Sequence, residues 1–490
     1  MNVIFSIIKL IVLIIEGTIK LLFQLIVIFI KFLSGNDFSY KATFGLSGTF
    51  LSNGYEGYCL TGKKSLSVKN SYENVLICGS TGTGKSSTVL IPSCLKMHDH
   101  SLIVHDPAGE IYTKTAGYLQ KVHKFKIKVL DFSNPQRSSS FNPLARIHSQ
   151  TDSQKVAELL VHHSMGNSGG DKFWSLEATS LISLLIEILR EQDSKYCNLR
   201  NVLHLLQLMA DPEAVDRLFS KTRNTALYNS YKSFVAYDSK IQSGIIAQSK
   251  AALNIFNMDS VAQVTSSDTL DFESFRKDKT ILYIQNGLAD QRIFSVISAI
   301  FFEQFWNFTM RSLPNDKDLS LFLLIDELAS LGKMPTLQLA LSNVRKFRCG
   351  ILCSVQHFAQ LVELYKNDAH AIKANCVTKM YFSGQSLETA RELQSILGQF
   401  EYKDEKGHKV KRELLTHQEV RMMDKRSALI ISGNRKPIKA KLTPYYAQSK
   451  LKRYSQIPEP IITNASQKEV LLLPLSVPEK QPENHEAEEV

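Results

Sequence analysis

Gly79-Ser80-Thr81-Gly82-Thr83-Gly84-Lys85-Ser86 constrains this chain more than any other stretch. It spells G-x(4)-G-K-S between the apolar run 74–78 (NVLIC) and a helical pattern reaching about residue 97. Glycines there let backbone N–H groups turn inward around phosphate at the positive end of a helix. Lys85 is placed to neutralise β- and γ-phosphates, and Ser86 to offer magnesium an oxygen. The segment from Gly79 to Ser87 is the candidate ATP-binding loop.

Such a loop belongs to an α/β fold, and the rest of the chain agrees. Strand-length apolar runs recur at 101–105, 279–284, 319–325, 350–355 and 428–431, with helical patterns between them. Residues 124–129 alternate lysine with apolar side chains, predicting a strand with one wet, basic face. One block breaks this rhythm. After GNSGG (166–170), residues 171–270 hold one proline, Pro212, and one glycine, Gly244. Their apolar spacing is helical, and Asp211-Pro212-Glu213 reads as a helix start. The expected organisation is an N-terminal anchoring helix (1–35) and a short-strand adaptor (36–70), then a nucleotide-binding domain in two parts (71–165 and 271–460). An all-α insert (166–270) separates those parts, and an acidic, disordered tail (461–490) ends the chain.

A nucleotidase needs a second, acidic site. Leu321–Ile325 is an apolar strand ending in Asp326-Glu327. Asp326 is placed to hold magnesium through water, and Glu327 to polarise the attacking water as general base. Strand 350–355 ends at Gln356, positioned to sense the γ-phosphate or orient that water. Arg345 and Arg348 lie near a helix end and read either as solvated surface or as a finger reaching a neighbouring subunit. No LSGGQ-type signature of a transporter cassette and no N-K-x-D guanine reader is present.

The N-terminal segment 3–30 is densely apolar, yet Lys9, Glu16 and Lys20 interrupt it. Its polar residues fall on one narrow helical stripe, and Glu16 and Lys20 stand in the favourable i,i+4 order. Two readings stay open: a helix spanning the membrane with its stripe against other subunits, or one lying in the interface. Lys31 and Lys41 place the remaining chain on the cytoplasmic side. Lys and Arg outnumber Asp and Glu by 58 to 47, a net charge of +11, which suits a polyanionic partner, nucleic acid or membrane. The basic candidates are the lysines of 121–128, the Arg435–Lys441 stretch and Lys450–Arg453. Seven cysteines in 490 residues are too sparse for a disulfide framework. Cys94, His98 and His100 come nearest to a metal cluster.

Taken in order, these motifs resemble the type IV secretion coupling proteins of the TraG/TraD class. The series begins with the phosphate loop and continues through VHDPAGEIYTKTAGY (104–118), which looks like the family's DPKGE element. SFNPL (140–144), DKFW (171–174), LLIDELASLGKMP (323–335), SVQHFAQL (354–361) and ELLTHQEVRMM (413–423) come next, with Pro437 and Tyr445-Tyr446. The resemblance implies a RecA-like P-loop fold with an inserted all-α, substrate-facing domain and an N-terminal membrane helix. It implies a homohexameric ATPase at the bacterial inner membrane, its bulk in the cytoplasm, using ATP and magnesium. Its partners would be single- or double-stranded DNA, relaxase or effector proteins, and secretion-channel components. The resemblance also favours Arg345 as the trans finger and Gln356 as the family's glutamine. Ala108 stands where the family has lysine, so any contact made by that lysine is missing. A DNA translocase of the FtsK/HerA kind, or an ATP-binding receptor with little turnover, are the competing readings.

Overall fold

The computed structural model describes residues 42–165, 172–209, 213–287, 290–464 and 469–475. Two units divide it. The larger, Phe44–Ala390 with Gln418–Val490, is built on a nine-stranded sheet. In chain order its strands are β1 (Val75–Cys78), β2 (Ser101–His105), β3 (Lys126–Asp131), β4 (Thr280–Gln285), β5 (Leu321–Ile325), β6 (Cys349–Val355) and β7 (Thr378–Phe382). The smaller unit takes β8 (Gln399–Lys403) and β9 (Lys409–Glu413), an antiparallel pair, before β10 (Ser427–Ser432) and β11 (Ile438–Lys441) return to the sheet.

The spatial order is β11-β10-β7-β1-β6-β5-β2-β4-β3. Seven neighbouring strands from β7 to β3 are parallel, and β10 and β11 add an antiparallel edge. Central strands such as β1 (VLIC) and β5 (LFLLI) are apolar throughout because helices cover both faces, so every side chain is buried. Parallel pairing brings the loops after β1, β2, β5 and β6 to one edge. That edge carries the chemistry.

Helix α1 (Ile91–Lys96) follows the phosphate loop. Helix α2 (Glu110–His123) follows β2, and its first turn is capped by Asp106, whose Oδ1 and Oδ2 accept from Ile111 N (3.2 Å) and Tyr112 N (2.7 Å). Between β3 and β4 comes the helical group: α3 (Gln150–Met165), α4 (Lys172–Arg190), α5 (Leu199–Leu208), α6 (Glu213–Ser220), α7 (Thr225–Val235), α8 (Ser239–Leu253) and α9 (Asp259–Thr265). Asn198, Asn224 and Asp238 cap α5, α7 and α8. Gly244 is where α8 meets the Trp174 ring; a Cβ there would lie 2.5 Å from it. The Ser153 hydroxyl of α3 donates to Glu187 of α4, so α3 belongs with this group, ahead of the expected boundary at 166. Helix α10 (Gln291–Thr309) then fills one face of the sheet with Phe294, Phe301, Phe302, Phe305 and Trp306.

Several expectations need amending. Within 42–70 there are two isolated bridges, at Ser52–Ser65 and Cys59–Ser65, and short helical turns rather than strands. Gly45, Gly48, Gly54, Gly57 and Gly62 interrupt any ladder there. Strands β7 and β11 add to the expected set; their lysines alternate with apolar residues and hide the signal. The predicted helix over 1–35, the linker 166–170, the cap at Asp211-Pro212 and the part of the tail beyond 475 lie outside the described residues. The start of the tail expected to be disordered (461–490) instead packs: Leu473 is buried, its N donating to Asn201 Oδ1 (2.8 Å), and Asn464 N donates to Gln136 O (2.7 Å). Among the described residues, no helix is long and apolar enough to cross a membrane.

Candidate active site

The phosphate loop is anchored at its start, where Gly79 N donates to Val355 O of β6 (3.0 Å). A side chain does not fit at Gly79, since its Cβ would stand 2.9 Å from both Phe382 Cβ and Thr83 Oγ1. Gly82 and Gly84 hold φ of +79° and +92°, the left-handed turns that bend the backbone into a cradle. Thr83 Oγ1 closes the turn on Ser80 O (2.7 Å). Lys85 is buried, its Nζ donating to Gly79 O (2.6 Å) and Ser80 O (3.4 Å). The chain leaves the loop through a π-turn over Ser86–Leu90, a widened geometry often found at functional sites.

Strand β5 delivers its acids two strands away. Asp326 Oδ2 accepts from Ser86 Oγ (3.4 Å), and Oδ1 accepts from Ser354 Oγ (3.1 Å). Burial pushes the Asp326 carboxyl up, while the Lys85 charge and the two hydroxyls pull it back. Glu327 adopts φ +64°, ψ +77°, a left-handed conformation that costs a non-glycine residue about 1–3 kcal/mol. Its backbone N donates to Ser354 Oγ (3.2 Å), so one serine on β6 holds both acids. Burial raises the Glu327 carboxyl as well, countered first by a hydrogen bond from Gln356 and then by Lys85. Glu327 Oε1 is buried without a partner. Gln360 Oε1 fixes the turn beyond β6, accepting from Gln356 N (3.0 Å) and His357 N (3.1 Å) at the start of α11 (Phe358–Tyr365). From β2, His105 Nδ1 lies 2.9 Å from Asp326 O; burial lowers its pKa to about 4, so the neutral ring donates there.

The donor set suits an anion and a hard cation together. Lys85 brings positive charge to the loop. Ser86 Oγ and Asp326 Oδ2 stand 3.4 Å apart, two oxygens of the kind a hard cation takes directly or through water. Glu327 Oε1, buried without a partner, has acceptor capacity to spare.

The structure thus brings together Gly79, Ser80, Thr81, Gly82, Thr83, Gly84, Lys85, Ser86, Ser87, Asp326, Glu327 and Gln356 at one sheet edge. Arg345 is not among them. It precedes β6, about 20 Å away along the strand, and pairs with Glu73 Oε1 (3.0 Å). Arg348 is committed to Asn315 O (2.9 Å) and Asp318 O. Sequence reasoning missed Ser354 and His105, whose roles come from strand adjacency, and Gln360, whose role is a local capping box with His357. Ala108 is exposed, while Asp106 is spent on the α2 cap. Cys94 is fully buried; the nearest grouping of possible metal ligands among the described residues is instead Glu56, His98 and Asp99, where Lys279 already holds Asp99 (2.7 Å). The basic candidates are partly engaged too. Lys126 pairs with Asp278 (2.8 Å), and Arg435 lies over Phe50 (5.3 Å). A cavity of about 490 Å³ lies apart from the phosphate loop, against α3 and α10.

A P-loop strand separated by one strand from an acid-tipped strand, with a glutamine ending the strand between, defines a RecA-like nucleotide-binding core. Residues 49–469 match the family described as type IV secretory system conjugative DNA transfer, and the chain belongs to that family. Protein VirD4 of Rhizobium radiobacter is 19% identical over 417 residues, covering 79% of this chain and 59% of the relative. Conjugal transfer protein TraG of Escherichia coli is 24% identical over 362 residues, covering 67% and 55%. The chain therefore spans about six-tenths of the length of these relatives. Among solved structures, the unbound conjugative coupling protein TrwBdeltaN70 superposes with a TM-score of 0.65 at 19% identity, covering 80% of this chain and 89% of that one. TrwB in complex with ADP and Mg2+ gives 0.63 at 19% identity, covering 79% and 88%. These likenesses establish the fold.

Proposed function

We propose that this chain is an ATP-hydrolysing motor that couples DNA–protein substrates to a conjugative or type IV secretion channel. One observation carries the reading: Lys85, Ser86, Asp326, Glu327 and Gln356 converge at the carboxyl edge of the sheet in the arrangement hydrolysis needs. Lys85 and the loop amides bind the phosphates. Ser86 and, through water, Asp326 would hold magnesium, which when bound would neutralise charge on the phosphate oxygens. Glu327, its carboxyl raised by burial, takes the proton of the attacking water, which Gln356 orients. TrwB bound to ADP and Mg2+ supports this choice of ligand.

The wider assembly is part of the same proposal. Arg345 is 56% exposed and far from its own phosphate loop, which suits a finger offered to a neighbour in a homohexamer. The apolar N-terminal segment would tether the ring to the inner membrane, and the helical group would face substrate. Basic surface would track DNA phosphates without reading sequence, giving salt-dependent binding.

Glu327→Gln tests the reading. Loss of turnover and of substrate transfer, with ATP binding intact, is the outcome a motor requires. Transfer that persists without hydrolysis points instead to a receptor that binds ATP only to assemble.

A further inference from the structure

Helix α3 of the helical group meets the loop beyond Glu327 at His163. Helix α3 ends beside the loop that follows Glu327, and His163, in its last turn, lies between two carbonyl oxygens. Nδ1 is 3.0 Å from Leu159 O on its own helix, and Nε2 is 3.3 Å from Leu331 O in the loop. Burial holds the ring neutral, so it has a single N–H to place between them. The next residue, Gly332, has φ of +70°, and a Cβ there would sit 2.8 Å from His163 Nε2. The close approach and the glycine are one feature.

That loop is short and fixed at its far end. A single 3-10 turn, Leu328–Leu331, joins Glu327 to the contact; Ser330 N and Oγ both donate to Glu327 O (3.1 and 2.7 Å). Beyond Gly332, Met334 N donates to Tyr365 Oη (3.2 Å), and Thr336 N donates to the buried Glu303 carboxylate (2.9 Å). The downstream end is therefore pinned to the motor core. With the far end held, a displacement at Leu331 passes back through the turn to Glu327, whose own N is held by a single side-chain hydroxyl, Ser354 Oγ (3.2 Å). On the other side, α3 is braced against α4 by the Ser153–Glu187 bond, so movement of the helical group carries His163 with it.

We infer that His163 is a positioning residue that couples the helical group to Glu327 through Leu331 and Gly332. The inference rests on the hydrolytic reading above: a substrate engaged by the helical group moves α3, and the His163 contact changes where the Glu327 carboxylate stands. Turnover then responds to substrate without either partner touching the other.

The test measures steady-state ATP hydrolysis by the full chain, alone and with a polythymidine oligonucleotide. His163→Ala should leave basal kcat and KM for ATP within about twofold while removing most of the oligonucleotide stimulation, about tenfold. His163→Gln, whose amide N–H reaches where Nε2 does, should restore stimulation. Gly332→Ala should reproduce the loss with the histidine intact. Unchanged melting temperature and unchanged binding of a fluorescent ATP analogue separate uncoupling from misfolding. Equal stimulation of wild type and H163A overturns the inference, as does a wild-type rate that the oligonucleotide leaves unmoved. Absence of any hydrolysis by wild type overturns the hydrolytic reading itself.

Discussion

Two aspartates end neighbouring parallel strands at the same level, Asp106 after β2 and Asp326 after β5, with His105 and Ile325 as register partners. Both follow an apolar run, and both carboxyls are raised by burial. They differ in who donates to them. Asp106 receives backbone N–H groups from its own helix and is 2% exposed, so its lone pairs are committed to the fold. Asp326 receives only side-chain hydroxyls, from the phosphate loop and from β6. A backbone donor cannot leave without unwinding a helix. A hydroxyl can turn away and let a cation or its water take the place. Position on the sheet edge does not make an acid chemical; exchangeable donors do.

The largest effect should fall next to Asp326. Glu327→Gln should lower kcat by about 10²–10⁴-fold with ATP affinity retained, measured by steady-state hydrolysis and nucleotide binding. Because burial raises the Glu327 carboxyl, the wild-type rate should already fall on acidification above the ordinary glutamate range. Asp326→Asn should raise the magnesium concentration for half-maximal rate by about a hundredfold, and Ser354→Ala by about tenfold, since the serine acts through the acid. If Asp106→Asn shifted the magnesium requirement as much as D326N, the distinction between the two strand ends would fail.

Asp106→Asn should show itself in stability instead. The folded carboxyl titrates at about 6 against an ordinary 3.8, so its contribution is full below about pH 4 and is lost as pH rises through 6. Wild type should therefore lose ground to D106N by up to about 3 kcal/mol between pH 4 and 7, read from paired denaturant titrations. The smallest effect belongs to the opposite edge of the sheet. Glu73→Gln frees the exposed Arg345 and should change unfolding free energy by no more than about 0.5 kcal/mol. A larger change would make that pair part of the fold rather than a surface contact.

The sequence disclosed what is local. The phosphate loop is eight consecutive residues, and Asp326-Glu327 ends an uninterrupted apolar run, so both are legible without knowing which strands touch. The helical group was legible from its lack of proline and glycine. Ser354 was not, because nothing in SVQ says that β6 lies between β1 and β5; that adjacency makes its hydroxyl reach both acids. His163 was hidden for the same reason, being 164 residues upstream of Glu327. Strand β11, IKAK, escaped because an edge strand carries lysines outward, and β7 because Lys379 and Tyr381 alternate with Met380 and Phe382. Long-range pairing, not local preference, decides each of these.

The backbone of Glu327 has a consequence for how this protein tolerates change. A chain selected for folding alone would place glycine or asparagine at φ +64°, where the absence of a Cβ or a short polar side chain relieves the strain. Carrying glutamate there means that a random substitution at 327 has a real chance of making the protein sturdier and idle at once. Screens for thermal robustness should therefore enrich E327G and E327N, and they should discard them again as soon as turnover is scored.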